Sequence, residues 1–344
     1  MARYGFSVWQ PPGFTGKGPA GGKTAFIVTL KFLALLHLTD KRAAGVNLAP
    51  GGGSPLQIYV ACAITCARSY YAQGYPLTLV TNHANLINQT IESFGLSDDP
   101  PLEVEQFEFS LDVPEGVRFR GAHFQIELFK AAGLGAYGDL VGIVDPDTVA
   151  IDRVEVPANL KDRVFALDQT RELVSDIGHA RIRDDIQYLS GIRLKEPIWY
   201  GAEFKAGTPA AFARFYDEVM QIWPRYLSGP RDYGHHGAET PLTAALAREK
   251  TRPVDAGASG TIVRWWSART TFEQMRLSEA ARYSILHLPA DKEFMAARAN
   301  MPFERESFLK AYRSHVKRKL LTRWPLAVID GLLGRPRKYA PRLG

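Results

Sequence analysis

The chain has 344 residues, 46% of them apolar and 23% charged. That is enough for one large α/β domain or two small ones around a sizeable core. Net charge is +6, but residues 310–344 carry ten Lys or Arg against Asp330, a local +9 that leaves −3 for everything before them. The basic character therefore belongs to the tail and not to the body. Residues 1–22 lack the apolar centre of a secretory signal, and the longest apolar stretch, Ala25 to Leu38, is broken by Lys31 and too short to span a bilayer. Cys62 and Cys66 sit one helical turn apart on an apolar stretch and read as reduced core residues. These features give the expectation of a cytoplasmic protein.

Residues 1–23 form a Gly- and Pro-rich arm. Its GKGPAGGKT run misses the phosphate-loop spacing, because the required first glycine falls on Lys17, and it precedes a strand instead of following one. Thr24 to Lys31 reads as the first strand, with FLALLHL and the residues up to Gly51-Gly52-Gly53 as an insertion. Ser54-Pro55 then caps and starts a helix that runs to about Gln73 and stops at Gly74. The glycines before it would suit either a phosphate at the helix start or a flexible insertion. Leu77 to Val80 is the second strand, Ala84 to Phe94 a helix, Val104 to Phe109 the third strand, and Ala122 to Ala132 a helix closed by Gly133.

Leu140 to Val144 is a short apolar run bounded by turn signals, the pattern of a buried strand. It delivers Asp145-Pro146-Asp147-Thr148 at its carboxyl end. Pro146 cannot donate to a ladder and helps stop the strand. Asp-Pro-Asp-Thr is good turn chemistry anywhere. Two carboxylates one residue apart also make a place for a hard divalent cation, which takes oxygen ligands and shares its shell with phosphates. The four residues alone leave both readings open. The alternation of strands and helices up to this point predicts a mostly parallel sheet with helices on both faces and ligands at the carboxyl ends of its strands. Thr29, Lys31, Asn82, Asp145 and Asp147 are placed at such ends.

In the second half, WYGAEFKAG (199–207) leads into Thr208-Pro209 and an amphipathic helix to about Trp223. GHHGAETPL (234–242) puts His235, His236 and Glu239 before a short helix. Thr261 to Trp266 and Tyr283 to Leu288 read as strands, the latter ending in His287 and running on to Lys292. Glu306 to Trp324 reads as a helix ended by Pro325, with Phe308, Tyr312, Val316, Leu320 and Trp324 on one stripe and Lys310, Arg313, Lys317 and Arg318 off it. A basic helix of this kind suits an anionic membrane surface or, alternatively, packing of the stripe on the body. No nucleic-acid motif accompanies it, so nucleic acid is not expected.

Taken together, the carboxylate pair and the late His287 and Lys292 resemble the GT-A fold glycosyltransferases that use nucleotide sugars. The nearest likeness is to retaining family 8 (glycogenin and lipopolysaccharide galactosyltransferase type) and family 6 (histo-blood-group type). Asp-Pro-Asp-Thr-Val resembles the Asp-x-Asp motif of family 8. His287 and Lys292 resemble its late histidine and lysine, with the spacing one residue short and Glu293-Phe294 where that family has Pro-Trp. GAEFKAGTP and GHHGAETPL resemble two family 6 segments, with Ala238 where an Asp is usual. The resemblance spans about residues 24–295.

It implies a Rossmann-like GT-A domain over 24–300 followed by a basic tail over 301–344. It implies transfer of a hexose from a nucleotide sugar, most simply a UDP-sugar, to a glycan or glycolipid hydroxyl, with retention. Mn2+ or Mg2+ would sit on Asp145, Asp147 and His287. Thr29, Lys31, Asn82, Asp145 and Lys292 would contact the donor, Lys292 at its phosphates. Glu239, or second Glu203, would be the carboxylate that stabilises the oxocarbenium-like sugar. Residues 305–344 would hold the protein peripherally on an anionic membrane.

Two rivals share such a scaffold. One is a non-catalytic nucleotide-sugar-binding protein. The other is a sugar-phosphate nucleotidyltransferase, which wants a Gly-rich basic loop directly after the first strand; FLALLHL after Lys31 is not one.

Overall fold

The computed structural model describes residues 30–40, 48, 53–115, 117, 119–157, 160, 162–229, 233–235, 237–249, 252–267 and 275–332, with side chains of the last helix described to residue 321. Its first half alternates as expected: β1 (Leu30–Leu36), α1 (Pro55–Ala72), β2 (Leu77–Thr81), α2 (Ala84–Ser93), β3 (Leu102–Gln106), α3 (Arg120–His123), α4 (Gln125–Gly133) and β4 (Leu140–Val144). Next come β5 (Thr148–Ala150), β6 (Phe165–Asp168), α5 (Thr170–Ile177), α6 (His179–Ser190), β7 (Tyr200–Gly207), α7 (Pro209–Ser228) and α8 (Glu239–Arg248). The chain closes with β8 (Val254–Asp255), β9 (Ile262–Arg264), α9 (Leu277–Ala280), β10 (Ile285–His287), α10 (Lys292–Ala296) and α11 (Arg305–Leu332).

Seven strands form one sheet in the order β3-β2-β1-β4-β7-β6-β8. β3, β2, β1 and β4 are parallel, and only β7 runs against its neighbours β4 and β6. The chain moves outward from β1 through β2 to β3, then returns to β1's other edge for β4. That reversal leaves a crevice beyond the carboxyl ends of β1 and β4, where open α/β sheets collect ligands. Side chains alternate across the sheet as strand geometry requires. Leu33, Val141 and Ile143 face a core built with α4, α7 and α8. Phe32, Ala34, Leu36 and Val144 face α1. Gly142 stands opposite Phe32 in register, and a Cβ there would lie 2.5 Å from the Phe32 ring, so the ring needs a glycine partner. β5, β10 and β9 make a second, three-stranded sheet in which His287 pairs with Thr148 and with Arg264.

The first strand runs on beyond its expected end. β1 occupies Leu30–Leu36, which takes in the last two residues of the expected strand and the first five of FLALLHL, expected as insertion; residues 24–29, including Thr29, lie outside the described residues. Burial between two layers suits the apolar run from Phe32 to Leu36. The whole of 1–23, with its GKGPAGGKT, also lies outside them. Beyond β1 comes Thr39-Asp40-Lys41-Arg42, with Gly45 and Gly51-Gly52-Gly53 further on. The basic, glycine-rich stretch that FLALLHL does not supply is thus the segment that follows the first strand.

The tail is not separate from the body. Phe308, Leu309, Tyr312 and Val316 are buried against Val149, Trp265, Leu286, Leu288 and Met295. At about 2 kcal/mol per buried side chain, these four are worth roughly 8 kcal/mol to the folded protein. Attraction of the exposed basic residues to an anionic membrane does not require the stripe to leave the body. The stripe therefore stays on the protein, and Lys310, Arg313, Lys317 and Arg318 remain exposed on the other side. The expected boundary at residue 301 falls inside this packing unit, and the helix continues through Pro325 to Leu332. Residues 333–344 lie outside the described residues. Among the described residues no helix is long and apolar enough to cross a membrane.

Candidate metal centre and donor cleft

β4 ends at the crevice, and its next four residues turn: Asp145 O accepts from Thr148 N at 3.1 Å and from Thr148 Oγ1 at 2.8 Å. The turn and the metal reading of Asp-Pro-Asp-Thr are compatible, because the turn is what brings the two carboxylates together. β10 runs antiparallel to β5 directly after that turn, which sets His287 beside it. His287 Nε2 lies 3.2 Å from Asp147 Oδ1 and 3.7 Å from Asp145 Oδ2. One ligand atom from each of the three residues falls within 4.8 Å of the others, so the cluster could hold a metal ion. Asp147 and His287 are buried, whereas the Asp145 side chain is 46% exposed and forms the mouth.

The cluster is held from behind. Glu203 on β7 is fully buried, takes both fork nitrogens of Arg264 at 2.8 Å, and places Oε1 3.4 Å from His287 Nδ1. His287 Nδ1 has no hydrogen bond of good geometry of its own. A carboxylate behind the outer nitrogen of a histidine fixes which nitrogen faces a metal. Glu203 was expected as a second catalytic candidate; enclosed and committed to Arg264 and His287, it cannot touch a sugar. Gly201 is what lets it fold back, since a Cβ there would collide with the Glu203 carboxylate and Gln169. Gln169 Nε2 donates to Glu203 Oε1, and the fully buried Lys205 donates to Gly201 O.

The charges decide the protonation states. Burial alone would raise the Asp147 carboxyl, but Lys292 and His287 override it and hold it well below the usual range. Burial would lower His287, but Asp147 and Glu203 lift it to about 9. Asp145 moves the other way, pushed upward by withdrawal of its inner side from water and by the Asp147 charge beside it. Burial pushes Lys205 down to about 8 against the pull of Glu203 and Glu239. Crowded carboxylates of this kind are relieved by a cation. Two carboxylate oxygens and one imidazole nitrogen make a donor set that a first-row divalent ion accepts once Nε2 has given up its proton.

The other expected residues fall in different places. Lys292 is buried, with Nζ 2.5 Å from Asp147 Oδ2 and 3.0 Å from Pro289 O. It neutralises Asp147 from the inner side instead of reaching phosphates in the cleft, and it leaves Asp147 Oδ1 as the oxygen turned toward His287. Lys31 sits near the amino end of β1, in register with Val141 and 3.5 Å from Glu103, so it lies at the opposite end of the sheet from Asp145. Extending the strand moved its carboxyl end from Lys31 to Leu36. Asn82 does follow β2, but its amide is spent on Leu38, accepting from Leu38 N and donating to Leu38 O, each at 2.9 Å. It braces the chain beyond β1.

Glu239 opens α8 and is drawn to the cleft, 3.8 Å from Arg264 and 3.6 Å from His235 Nδ1. Its charge bears on Asp145. His235 stacks on Phe119, and His236 lies outside the described residues.

Arg264, Gln169 and Lys205 were missed by the sequence reading. The period-two spacing of Gly201, Glu203 and Lys205 did carry a signal that they share one strand face. Nothing local marked Arg264, whose place depends on β9 pairing with β10.

These features define an α/β protein with a mostly parallel sheet and an Asp-Asp-His cluster at its switch-point crevice. No protein-family model matches the chain, and no curated protein matches it either.

Proposed function

We propose that the protein is a GT-A fold glycosyltransferase that moves a hexose from a nucleotide sugar, most simply a UDP-sugar, to a glycan or glycolipid hydroxyl. The observation that carries this reading is the Asp145-Asp147-His287 cluster at the carboxyl end of β4, beside the crevice where a nucleotide would lie. Mn2+ or Mg2+ held there would offset the negative charge that develops on a departing diphosphate. Glu239 is the carboxylate available to face the sugar; its approach to Arg264 and His235 leaves it at the cleft instead of behind it. Retention of configuration follows from the family resemblance. The exposed basic side of α11 supports peripheral attachment to an anionic membrane by its charge alone.

A second reading, a sugar-phosphate nucleotidyltransferase, gains from the position of β1. The stretch Lys41-Arg42 to Gly53 follows the first strand after His37 to Asp40, close to where that chemistry wants it. One experiment separates the two. The protein is supplied with a panel of nucleotide sugars and, separately, with nucleoside triphosphates plus sugar 1-phosphates, with Mn2+ and with chelator. Metal-dependent release of nucleoside diphosphate from one nucleotide sugar supports the transferase. Release of pyrophosphate from the second mixture supports the nucleotidyltransferase and rejects the first reading.

A further inference from the structure

We propose that α11 is a working part of the metal centre, and that Asp291 is the positioning residue through which it acts. This inference rests on the metal reading of the Asp145-Asp147-His287 cluster and not on sugar transfer. Asp291 occupies the position before α10, yet its carboxylate caps nothing in that helix. Both oxygens are turned to α11 and Ser267 instead. Tyr312 OH donates to Oδ2 at 2.7 Å, while Ser267 Oγ at 2.6 Å, His315 Nε2 at 2.9 Å and Lys319 Nζ at 2.7 Å converge on Oδ1. Lys319 Nζ also donates to Ala290 O at 2.7 Å. Asp291 is only 1% exposed, so this is a buried charge fully supplied with donors, three of them from one helix.

The segment thus gripped is the one that serves the metal cluster. It begins at His287, whose carbonyl accepts from Trp265 N at 2.9 Å. Leu288 N donates to Asp147 O at 3.0 Å, and Lys292 Nζ meets Asp147 Oδ2 at 2.5 Å. Three residues within this six-residue segment, His287, Leu288 and Lys292, therefore touch Asp147 through imidazole, backbone and ammonium, and α11 fixes the residue next to the ammonium. Releasing Asp291 would let the Pro289-Ala290 turn shift, and both His287 and Lys292 would lose their register on Asp147. Partners behind a metal ligand commonly change affinity tenfold or more when removed.

The test is Mn2+ binding, followed by electron paramagnetic resonance on the full chain, with amide hydrogen exchange over 287–292 as a second readout. Asp291→Asn should weaken Mn2+ binding by about tenfold. Lys319→Met and Tyr312→Phe should weaken it severalfold, and Lys319→Arg should restore most of the loss. The outward Lys317→Ala should change nothing. Exchange of the 287–292 amides should quicken in the same order while the seven-stranded sheet stays protected. A folded Asp291→Asn protein with unchanged Mn2+ affinity and unchanged exchange overturns the inference. If that variant does not fold, unchanged affinity in both Tyr312→Phe and Lys319→Met does so. A wild-type chain that binds no Mn2+ removes the metal cluster and this inference with it. Mn2+ binding without any sugar transfer leaves the inference standing and removes only the transferase.

Discussion

Two buried acidic clusters flank the segment 287–292, and they are built on opposite principles. Asp291 has one carboxylate and four donors converging on it; nothing remains for a ligand to satisfy. Around Asp147 the partners are shared unevenly: Lys292 serves Asp147 and Arg264 serves Glu203, while Asp145 among the described residues approaches only the already engaged His287 imidazole at 3.7 Å, and its carboxyl is pushed upward by burial and by the Asp147 charge. Burial is common to Asp147 and Asp291 and so cannot tell them apart. What separates them is the balance of donors and acceptors: the Asp291 cluster is closed on itself, while the cluster around Asp147 could hold a cation.

The sharpest break in this comparison is Asp147→Ala. It removes a ligand and strands Lys292 in the interior, and uncovering one partner of a buried pair costs about 3–5 kcal/mol. Loss of measurable Mn2+ binding together with a large drop in melting temperature is expected. Melting unchanged from wild type would mean that Lys292 finds water and that the site is more open than its burial implies.

Glu203→Gln is milder, because it keeps the shape but weakens the hold on Arg264 and His287. Mn2+ affinity should fall about 10- to 100-fold with the fold intact, as calorimetry would record.

The smallest effect belongs to Asp291 and pH. Burial would raise its carboxyl, but His315 and Lys319 bring it down to about 2 from an ordinary 3.8. A group with a depressed folded pKa contributes stability above its unfolded pKa and loses it as pH falls through the folded one. About 2 kcal/mol should therefore disappear between pH 4 and pH 2. Asp291→Asn should flatten that part of the melting curve; an unaltered acid limb would assign it to other carboxylates.

Much of this was legible in the sequence where the signal is local. Ser54-Pro55 and Gly74 bracket α1, Thr208 caps α7 through Ala211 N, and Leu140–Val144 is the strand that the apolar run predicts. The three residues of the Asp-Asp-His cluster were also readable, because the carboxylate pair closes an apolar run and the resemblance singles out the late histidine. Lys31 falls elsewhere for a physical reason: the strand runs on through Leu36, and the packing of Phe32, Ala34 and Leu36 against α1 and of Leu33 against the opposite layer is what carries it past Lys31. Lys292 was misread because sequence gives a charge but not the direction from which it approaches. Likewise the α11 stripe fits a lipid surface or a protein surface equally until Trp265 and Met295 are seen beneath it.

The chain has only two cysteines, and both lie under this centre. Cys62 Sγ donates to Lys292 O at 3.0 Å, and Cys66 Sγ rests 3.5 Å from Thr148 Oγ1. Burial keeps both thiols protonated, Cys66 pushed up to about 12. A thiol reagent can therefore reach them only when the packing of α1 against β5 and α10 opens. The protein carries its own clock for that event: the rate at which the two thiols are consumed times the breathing of the site, with no label added.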